Sequence, residues 1–173
     1  MASGRGGSDA VLHKTNFPTW SSPAPLRHGE WLRLGISGVL DGYFFDLSRS
    51  RSIGPVGTRA AAMFEAAIEI VGAGIALLRP GATAGEVAEA GLGRQVAMGF
   101  PVRGVFSGLG HGIGLGWDSP WLVPGDATVM VPGMVLSVER TITQDGYLGD
   151  FEETVLVTER GTERLTDARV RNW

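Results

Sequence analysis

The sequence contains no cysteine among its 173 residues. Disulfide bonds, thiolate metal sites and cysteine nucleophiles are therefore excluded. A surplus of basic residues is also missing, because Lys and Arg number 15 against 18 Asp and Glu. Proteins that bind nucleic acids by releasing counterions normally carry such a surplus, so we predict no nucleic-acid partner.

A long uninterrupted apolar run is absent as well. The most apolar stretch, residues 60–78, contains Glu65 and Glu69. We therefore predict no membrane span, no secretory signal, no membrane partner and a cytoplasmic location. The length and a hydrophobic fraction of 43% predict one globular domain over residues 13–173. A disordered tail rich in Gly, Ser and Ala is expected over residues 1–12.

Two Asp-Gly pairs predict β-hairpins. Asp41-Gly42 separates two apolar runs, which predicts strands at about 31–39 and 43–49. Asp145-Gly146 stands in the same relation to its own flanking runs near the end of the chain. The sequence therefore predicts an antiparallel pairing at both places.

Helical periodicity fills the middle of the chain. Apolar residues recur at helical spacing from Thr58 to Leu78, and Thr83 with Glu86 forms a capping-box pattern before a second helix that ends near Met98. Hairpin, two helices and then further strands is an order typical of the α+β class. We predict a largely antiparallel sheet covered by two long helices.

The second hairpin would bring two carboxylates together. If Asp145-Gly146 is a two-residue turn, residues whose numbers sum to 291 lie opposite one another, so Glu139 faces Glu152. Directly opposed like charges destabilise a sheet unless a bound divalent cation or a shared proton compensates. The alternatives are a solvated face or a register that is shifted by one residue.

Asp46 and His111 are further candidate ligands. Strand alternation places Asp46 on the face opposite its apolar neighbours, although it could equally be a surface residue or the partner of Arg49. His111 lies in the glycine-dense segment 108–116, where it could bind a cation or belong to a flexible turn. One Asp, one His and two Glu suit one divalent transition-metal ion such as Mn²⁺, Fe²⁺, Co²⁺ or Zn²⁺.

Five segments carry a resemblance when they are taken in order: DGYFFDLSRS, LLRPGATAGEV, GLGHGIGL, PGMVLSVE and FEETVLVTERGTERLT. Together they resemble the catalytic domain of the creatinase, aminopeptidase P, prolidase and methionine aminopeptidase family, over about residues 30 to 168. The resemblance implies the pita-bread fold and a metal centre held by Asp46, His111, Glu139 and Glu152. It also implies that Glu139 is the proton shuttle.

The sequence departs from the family pattern at several positions. Gly35 stands eleven residues before Asp46, where the family has its first Asp ligand, so the resemblance implies a site for at most one ion. Asp118 stands where the family has a substrate-facing histidine, and would favour a cationic or amine-bearing substrate. The family's upstream histidine has no counterpart in residues 16–20.

The resemblance also implies that the N-terminal half is incomplete. Family domains begin with further helices and strands, whereas only about 30 residues precede the first hairpin here. Either the chain is a fragment, or a second copy of the chain or a partner chain covers the surface that the missing part would bury. A homo-oligomer or such a hetero-complex is therefore expected.

The leading functional hypothesis is a metal-dependent hydrolase that cleaves an amide or other C–N bond in a small molecule or short peptide. One alternative is a catalytically degenerate pita-bread module that acts as a binding or assembly subunit. Another is a lyase or cyclase type of enzyme in small-molecule metabolism that uses the same pocket.

Overall fold

The computed structural model describes residues 2–4, 25–102, 107–145 and 147–171. In this part of the chain eight strands form a single sheet, and all paired strands run antiparallel. The strands are β1 Ala2–Gly4, β2 Trp31–Leu40, β3 Tyr43–Ser52, β4 Gly110–Ile113, β5 Trp117–Trp121, β6 Val135–Gln144, β7 Tyr147–Thr158 and β8 Gly161–Arg164. Their order is β1-β2-β3-β7-β6-β4-β5, with β8 paired to β7.

The first hairpin has the predicted turn. Asp41 and Gly42 connect β2 and β3 with φ values of 51° and 88°, the left-handed conformation of a two-residue turn that matches the twist of the strands. β3 continues to Ser52, three residues beyond the predicted end. Arg51 supports this extension, because its guanidinium donates to the backbone carbonyl oxygen of Val170 at 2.9 Å.

The second hairpin has the predicted register. Glu139 lies opposite Glu152, and every other pair along β6 and β7 also sums to 291. A register shifted by one residue, the alternative left open by the sequence, is therefore excluded. Asp145 has φ 53°, whereas Gly146 lies outside the described residues.

Two helices, α1 Thr58–Leu77 and α2 Ala84–Ala97, lie between the hairpins. The capping box predicted before α2 is present, since Thr83 Oγ1 accepts from the Glu86 N–H at 3.2 Å and Glu86 Oε2 accepts from the Thr83 N–H at 2.7 Å. The prediction of an antiparallel sheet with two long helices is confirmed.

α1 packs against the sheet and against α2. The Phe64 ring meets the Phe151 ring of β7 edge to face, with 5.8 Å between centroids. At Gly149 a Cβ atom would lie 2.0 Å from the Met63 carbonyl oxygen, so the helix rests directly on the β7 backbone. One face of the sheet is thereby covered by the helices.

α1 is also long and apolar enough, by length and composition alone, to cross a membrane. Core helices pass the same test, and α1 contributes eight buried residues to the interior. Glu65 and Glu69 therefore do not exclude a span by themselves. The absence of a membrane partner and the cytoplasmic location stay predictions.

The first residues of the chain form a short strand, whereas the sequence predicted a disordered tail. Ala2–Gly4 form β1 and pair with β2, with Ala2 opposite Arg33, within the stretch predicted to be a disordered tail. The rest of that tail and residues 13–24 lie outside the described residues. The assignment of residues 13–173 to one domain stays a prediction.

Candidate metal centre

Alternation along neighbouring strands gathers polar side chains on the face of the sheet opposite α1. His111 pairs with Ser137, and Ser137 precedes Glu139 by two residues, so all three share a face. Glu152 lies on the same face because it is directly opposite Glu139. Sheet order thus brings a histidine and two glutamates together although 41 positions separate the first residue from the last.

Glycines on both sides of His111 let its strand fit tightly into the sheet. A Cβ atom on Gly110 would lie 2.0 Å from the Ser137 carbonyl oxygen, and one on Gly112 would lie 2.6 Å from the Ser119 carbonyl oxygen. The part of the glycine-dense segment that holds His111 is therefore a buried strand, β4, and the alternative of a flexible turn at His111 is wrong. Its glycines accommodate neighbouring backbone, which leaves the imidazole as the side chain presented to the site.

The imidazole of His111 is oriented by its own strand. Its Nδ1 lies 3.0 Å from the Gly112 carbonyl oxygen, which can only accept a hydrogen bond, so Nδ1 carries the proton. In a neutral imidazole with this hydrogen bond the lone pair is on Nε2, which lies 3.6 Å from Glu139 Oε1. The rings of Trp117 and Trp121 flank the imidazole, with centroids 5.8 and 5.7 Å away. This tautomer suits a metal ligand.

The two opposed glutamates carry strongly perturbed pKa values. Burial raises the pKa of Glu139 to about 7, and the charges of Asp150 and Asp46 add to the effect. Burial raises the pKa of Glu152 to about 8, with Glu139 and Asp46 adding. The Ser137 hydroxyl donates to Glu152 Oε1, which offsets only part of the increase. The pair therefore lies in a region of excess negative charge.

Asp46 lies at the edge of this region. It is half-buried on β3, and its pKa is raised by burial, although the nearby His111 acts in the opposite direction. The alternative pairing with Arg49 is wrong, because the Arg49 guanidinium binds Glu153 Oε1 at 3.0 Å instead. Asp46 interacts electrostatically with Glu139 and Glu152 as well as with His111.

The donor set suits one divalent transition-metal ion. Three carboxylates and one imidazole offer the oxygen and nitrogen ligands that such ions prefer, and an ion would compensate the negative charge of the carboxylates. Among the residues with described positions, however, no three such side chains are arranged closely enough to hold an ion as they lie. The four residues suit a metal ion by the chemistry of their ligand atoms, by the face of the sheet they share and by their charge. Binding an ion would require their side chains to move closer together.

An arginine side chain occupies the space beside Gly35, the position at which the family has its first Asp ligand. Gly35 on β2 lies opposite Ser48, and Arg33 Nη1 lies 3.4 Å from the point where a Cβ on Gly35 would be. Arg33 Nε lies 2.9 Å from Asp150 Oδ1, which also accepts from the Thr141 hydroxyl. The guanidinium thus extends over the glycine toward the acidic residues.

Sequence reasoning did not identify Arg33 or Asp150. A signal for both exists, since each precedes a singled-out position, Gly35 or Glu152, by two residues and therefore shares its face. Asp118 was identified, but it lies exposed on β5, where its Oδ1 accepts from the Ser119 N–H at 2.7 Å. In the described part of the chain its carboxylate forms no hydrogen bond or ion pair with the four candidate ligands, so its role toward substrate stays a prediction.

An antiparallel sheet with helices on one face and a histidine with acidic residues on the other defines the pita-bread class of domain. The sequence profile of Metallopeptidase family M24 matches residues 3–159, and this chain belongs to that family.

Three proteins illustrate the similarity. Methionine aminopeptidase B from Synechocystis sp. is 33% identical, over 82% of this chain and 59% of its own length. The crystal structure of dipeptidase PepE from Mycobacterium ulcerans is 30% identical, with a TM-score of 0.79 over 87% of this chain and 41% of its own. Prolidase from Pyrococcus furiosus is 26% identical, with a TM-score of 0.83 over 97% of this chain and 48% of its own. The chain thus spans about half the length of these relatives.

Proposed function

We propose that this chain is the catalytic-type domain of a hydrolase that uses one divalent transition-metal ion to cleave an amide or other C–N bond. The observation that carries the proposal is that Glu139 lies directly opposite the buried Glu152 and that His111 Nε2 lies 3.6 Å from Glu139 Oε1. Membership of a metallopeptidase family supports it. Mn²⁺, Fe²⁺, Co²⁺ and Zn²⁺ all suit the donor set.

Asp46, His111, Glu139 and Glu152 would hold the ion. When bound, such an ion supplies Lewis acidity toward a substrate carbonyl and a water molecule. Ser137 fixes Glu152 through its hydroxyl, and the Gly112 carbonyl fixes the imidazole. Both contacts limit the rotamers of the ligands before any ion binds.

The two glutamates differ in accessibility, and this difference supports different roles for them. The side chain of Glu139 is 24% exposed, whereas Glu152 is only 2% exposed. Water and substrate can reach Glu139 but not Glu152. Glu139 is therefore the carboxylate that accepts and returns a proton, while Glu152 acts only as a ligand.

Substrate would approach from a shallow depression lined by Ser37, Gly38, Phe44 and Trp117. Ser37 lies directly opposite Asp46, and the Trp117 ring packs against His111, so the depression opens beside two of the ligands. Its aromatic lining suits the apolar side chain of a small molecule or short peptide. The exposed carboxylate of Asp118, next to Trp117, favours a substrate with an amine.

Metal content measured by plasma mass spectrometry tests the proposal. The wild type, purified without chelator, should carry one ion per chain, and Glu152→Ala should carry almost none. Glu163→Ala, which changes an exposed glutamate of β8, is the matched control and should keep the ion. No bound metal in the wild type, even after reconstitution with Mn²⁺, Fe²⁺, Co²⁺ or Zn²⁺, would contradict the proposal.

Hydrolysis is tested separately on the loaded protein. Dipeptides and peptides with N-terminal methionine are the first substrates to try, because the relatives are named dipeptidase, prolidase and methionine aminopeptidase. Glu139→Gln should abolish cleavage and release of the amine product. If metal is bound but no amide is cleaved, the lyase or cyclase alternative gains support.

A non-catalytic role is the second candidate, and two observations favour it. No three ligands converge within the described part of the chain, and a guanidinium lies against the acidic residues. The tip of the β2–β3 hairpin also exposes Leu40 and Tyr43 by 69% and 64%. A second copy of the chain would cover these residues, so Leu40→Asp should convert a dimer to a monomer in light scattering.

A further inference from the structure

Arg33 is the cation that lies against the acidic residues of the site. We infer that its guanidinium occupies the space beside Gly35 and limits this cluster to at most one metal ion per chain. The inference rests on the proposed metal binding, and it concerns how many ions the site takes.

Asp150 holds the guanidinium in place. The Nε atom of Arg33 lies 2.9 Å from Asp150 Oδ1, and the side chains are 20% and 1% exposed. Thr141 donates to the same carboxylate and fixes it on β7. A charge pair buried to this extent is costly to separate, so the guanidinium stays at this position.

Gly35 provides the space that the guanidinium uses. Nη1 of Arg33 lies 3.4 Å from the position of a Cβ on Gly35, which is ordinary van der Waals contact. A side chain long enough to act as a ligand at this position would have to displace or pair with the guanidinium. Gly35 and Arg33 therefore act together: one offers no ligand, and the other fills the space.

The balance of charges in the cluster also limits the number of bound metal ions to one. Arg33 interacts electrostatically with Glu139 and Glu152 as well as with Asp150, so it lies within the field of the cluster. One divalent ion and Arg33 together carry three positive charges against the four carboxylates Asp46, Glu139, Asp150 and Glu152. A second divalent ion would raise this to five and would lie next to a fixed like charge, which opposes its binding.

The number of Mn²⁺ ions bound per chain, measured by equilibrium dialysis on all 173 residues, tests the inference. The variant that combines Arg33→Gln with Gly35→Asp should bind one ion more than the wild type. Gln keeps an amide for Asp150 but removes the charge, and Asp adds a carboxylate. Gly35→Asp alone should bind the wild-type number, because Arg33 will pair with the new carboxylate. Arg33→Lys, which keeps the charge, should also bind the wild-type number.

The matched control is Arg59→Gln, since Arg59 pairs with Asp145 on the exposed surface. Circular dichroism verifies that each variant is folded, and Arg33→Met with Gly35→Asp replaces the first combination if that one unfolds. An unchanged number in the folded combined variant, or an extra ion in Gly35→Asp alone, would overturn the inference. If the wild type binds no ion, the proposed function is rejected. The role of Arg33 is tested by the difference in bound ions between the combined variant and Gly35→Asp alone.

Discussion

The β2–β3 and β6–β7 hairpins both place an Asp-Gly pair between long strands, yet their surroundings differ. β6 and β7 are largely buried along their length, whereas the half of the β2–β3 hairpin nearest its turn is exposed. The buried hairpin carries Glu139 and Glu152, and the more exposed one contributes Asp46 and Arg33. Turn chemistry sets the register of each hairpin locally, but only the order of strands in the sheet decides which charges meet.

The contact between the two hairpins should give the largest effect when it is broken. Arg49 of β3 is buried, binds Glu153 of β7 and lies over the Phe151 ring, 4.6 Å from its centroid. Arg49→Leu leaves the Glu153 carboxylate buried, with the exposed Arg164 as its remaining cationic neighbour among the described residues, at 3.6 Å. We expect a loss of about 3 to 5 kcal/mol in the free energy of unfolding.

Urea denaturation measures this loss. Replacing both Arg49 and Glu153 by Leu should recover much of the stability, because no uncompensated charge is then left. Arg59→Leu, which removes the exposed partner of Asp145, should change the free energy of unfolding by less than about 1 kcal/mol. Equal losses at Arg49 and Arg59 would mean that the two hairpins are not coupled through the buried pair.

Glycines in the two hairpins should respond differently to the same substitution. Gly149→Ala in β7 places a methyl group 2.0 Å from a backbone oxygen of α1, which cannot move without shifting the helix, so we expect a loss of about 3 kcal/mol. Gly38→Ala in β2 meets the end of the half-exposed Phe45 ring at 2.8 Å, and that ring can turn away. Its effect should stay within about 1 kcal/mol by thermal unfolding. Similar losses for the two variants would contradict the difference in packing.

The buried glutamates should make the metal-free protein less stable as the pH rises. Their pKa values are raised in the folded state, so the stabilisation is complete below the ordinary glutamate pKa of about 4.5 and disappears as the pH passes through about 7 and 8. The wild type should therefore lose more free energy of unfolding between pH 5 and pH 8 than Glu152→Gln does, by on the order of 2 kcal/mol.

Chemical denaturation at several pH values, with chelator present, gives the comparison. The charged or titratable groups that act on the pair are Arg33, Asp46, His111, Arg140 and Asp150. Adding Mn²⁺ should remove most of the pH dependence of the wild type, because a cation stabilises the ionised carboxylates. If the free energy of unfolding of Glu152→Gln and of the wild type changed with pH in parallel, the pKa of Glu152 would not be raised in the folded state.

The smallest expected effect concerns the exposed turn. Gly42 has φ 88°, so Gly42→Ala should cost about 1 kcal/mol through the left-handed conformation alone. Amide hydrogen exchange should become faster at the tip of β2–β3 and stay unchanged in β6–β7. Gly72→Ala in α1, where nothing lies within 4 Å, is the control and should be neutral or stabilising. Faster exchange in both hairpins would mean that the tip is not an independent unit.

The sequence alone was sufficient for what depends on local chemistry. The register of both hairpins follows from Asp-Gly turns, and the start of α2 follows from Thr83 and Glu86. The interplay of Arg33 with Asp150 could not be predicted, because it requires β2, β3 and β7 to be neighbours in the sheet. The order of strands depends on contacts between residues that are more than 100 positions apart, such as Arg33 and Asp150, and the spacing of neighbouring residues does not predict such contacts.

The aromatic setting of His111 gives the protein an optical reporter of its own site. Trp117 and Trp121 hold their indole rings less than 6 Å from the imidazole on which a metal would act. Indole emission responds to the charge and polarity of its immediate surroundings, so a metal ion bound at the proposed site would alter the fluorescence of these two residues without any added label. The rings that wall the histidine therefore allow binding to be followed in real time, and replacing each by Phe assigns the signal to one side of the site.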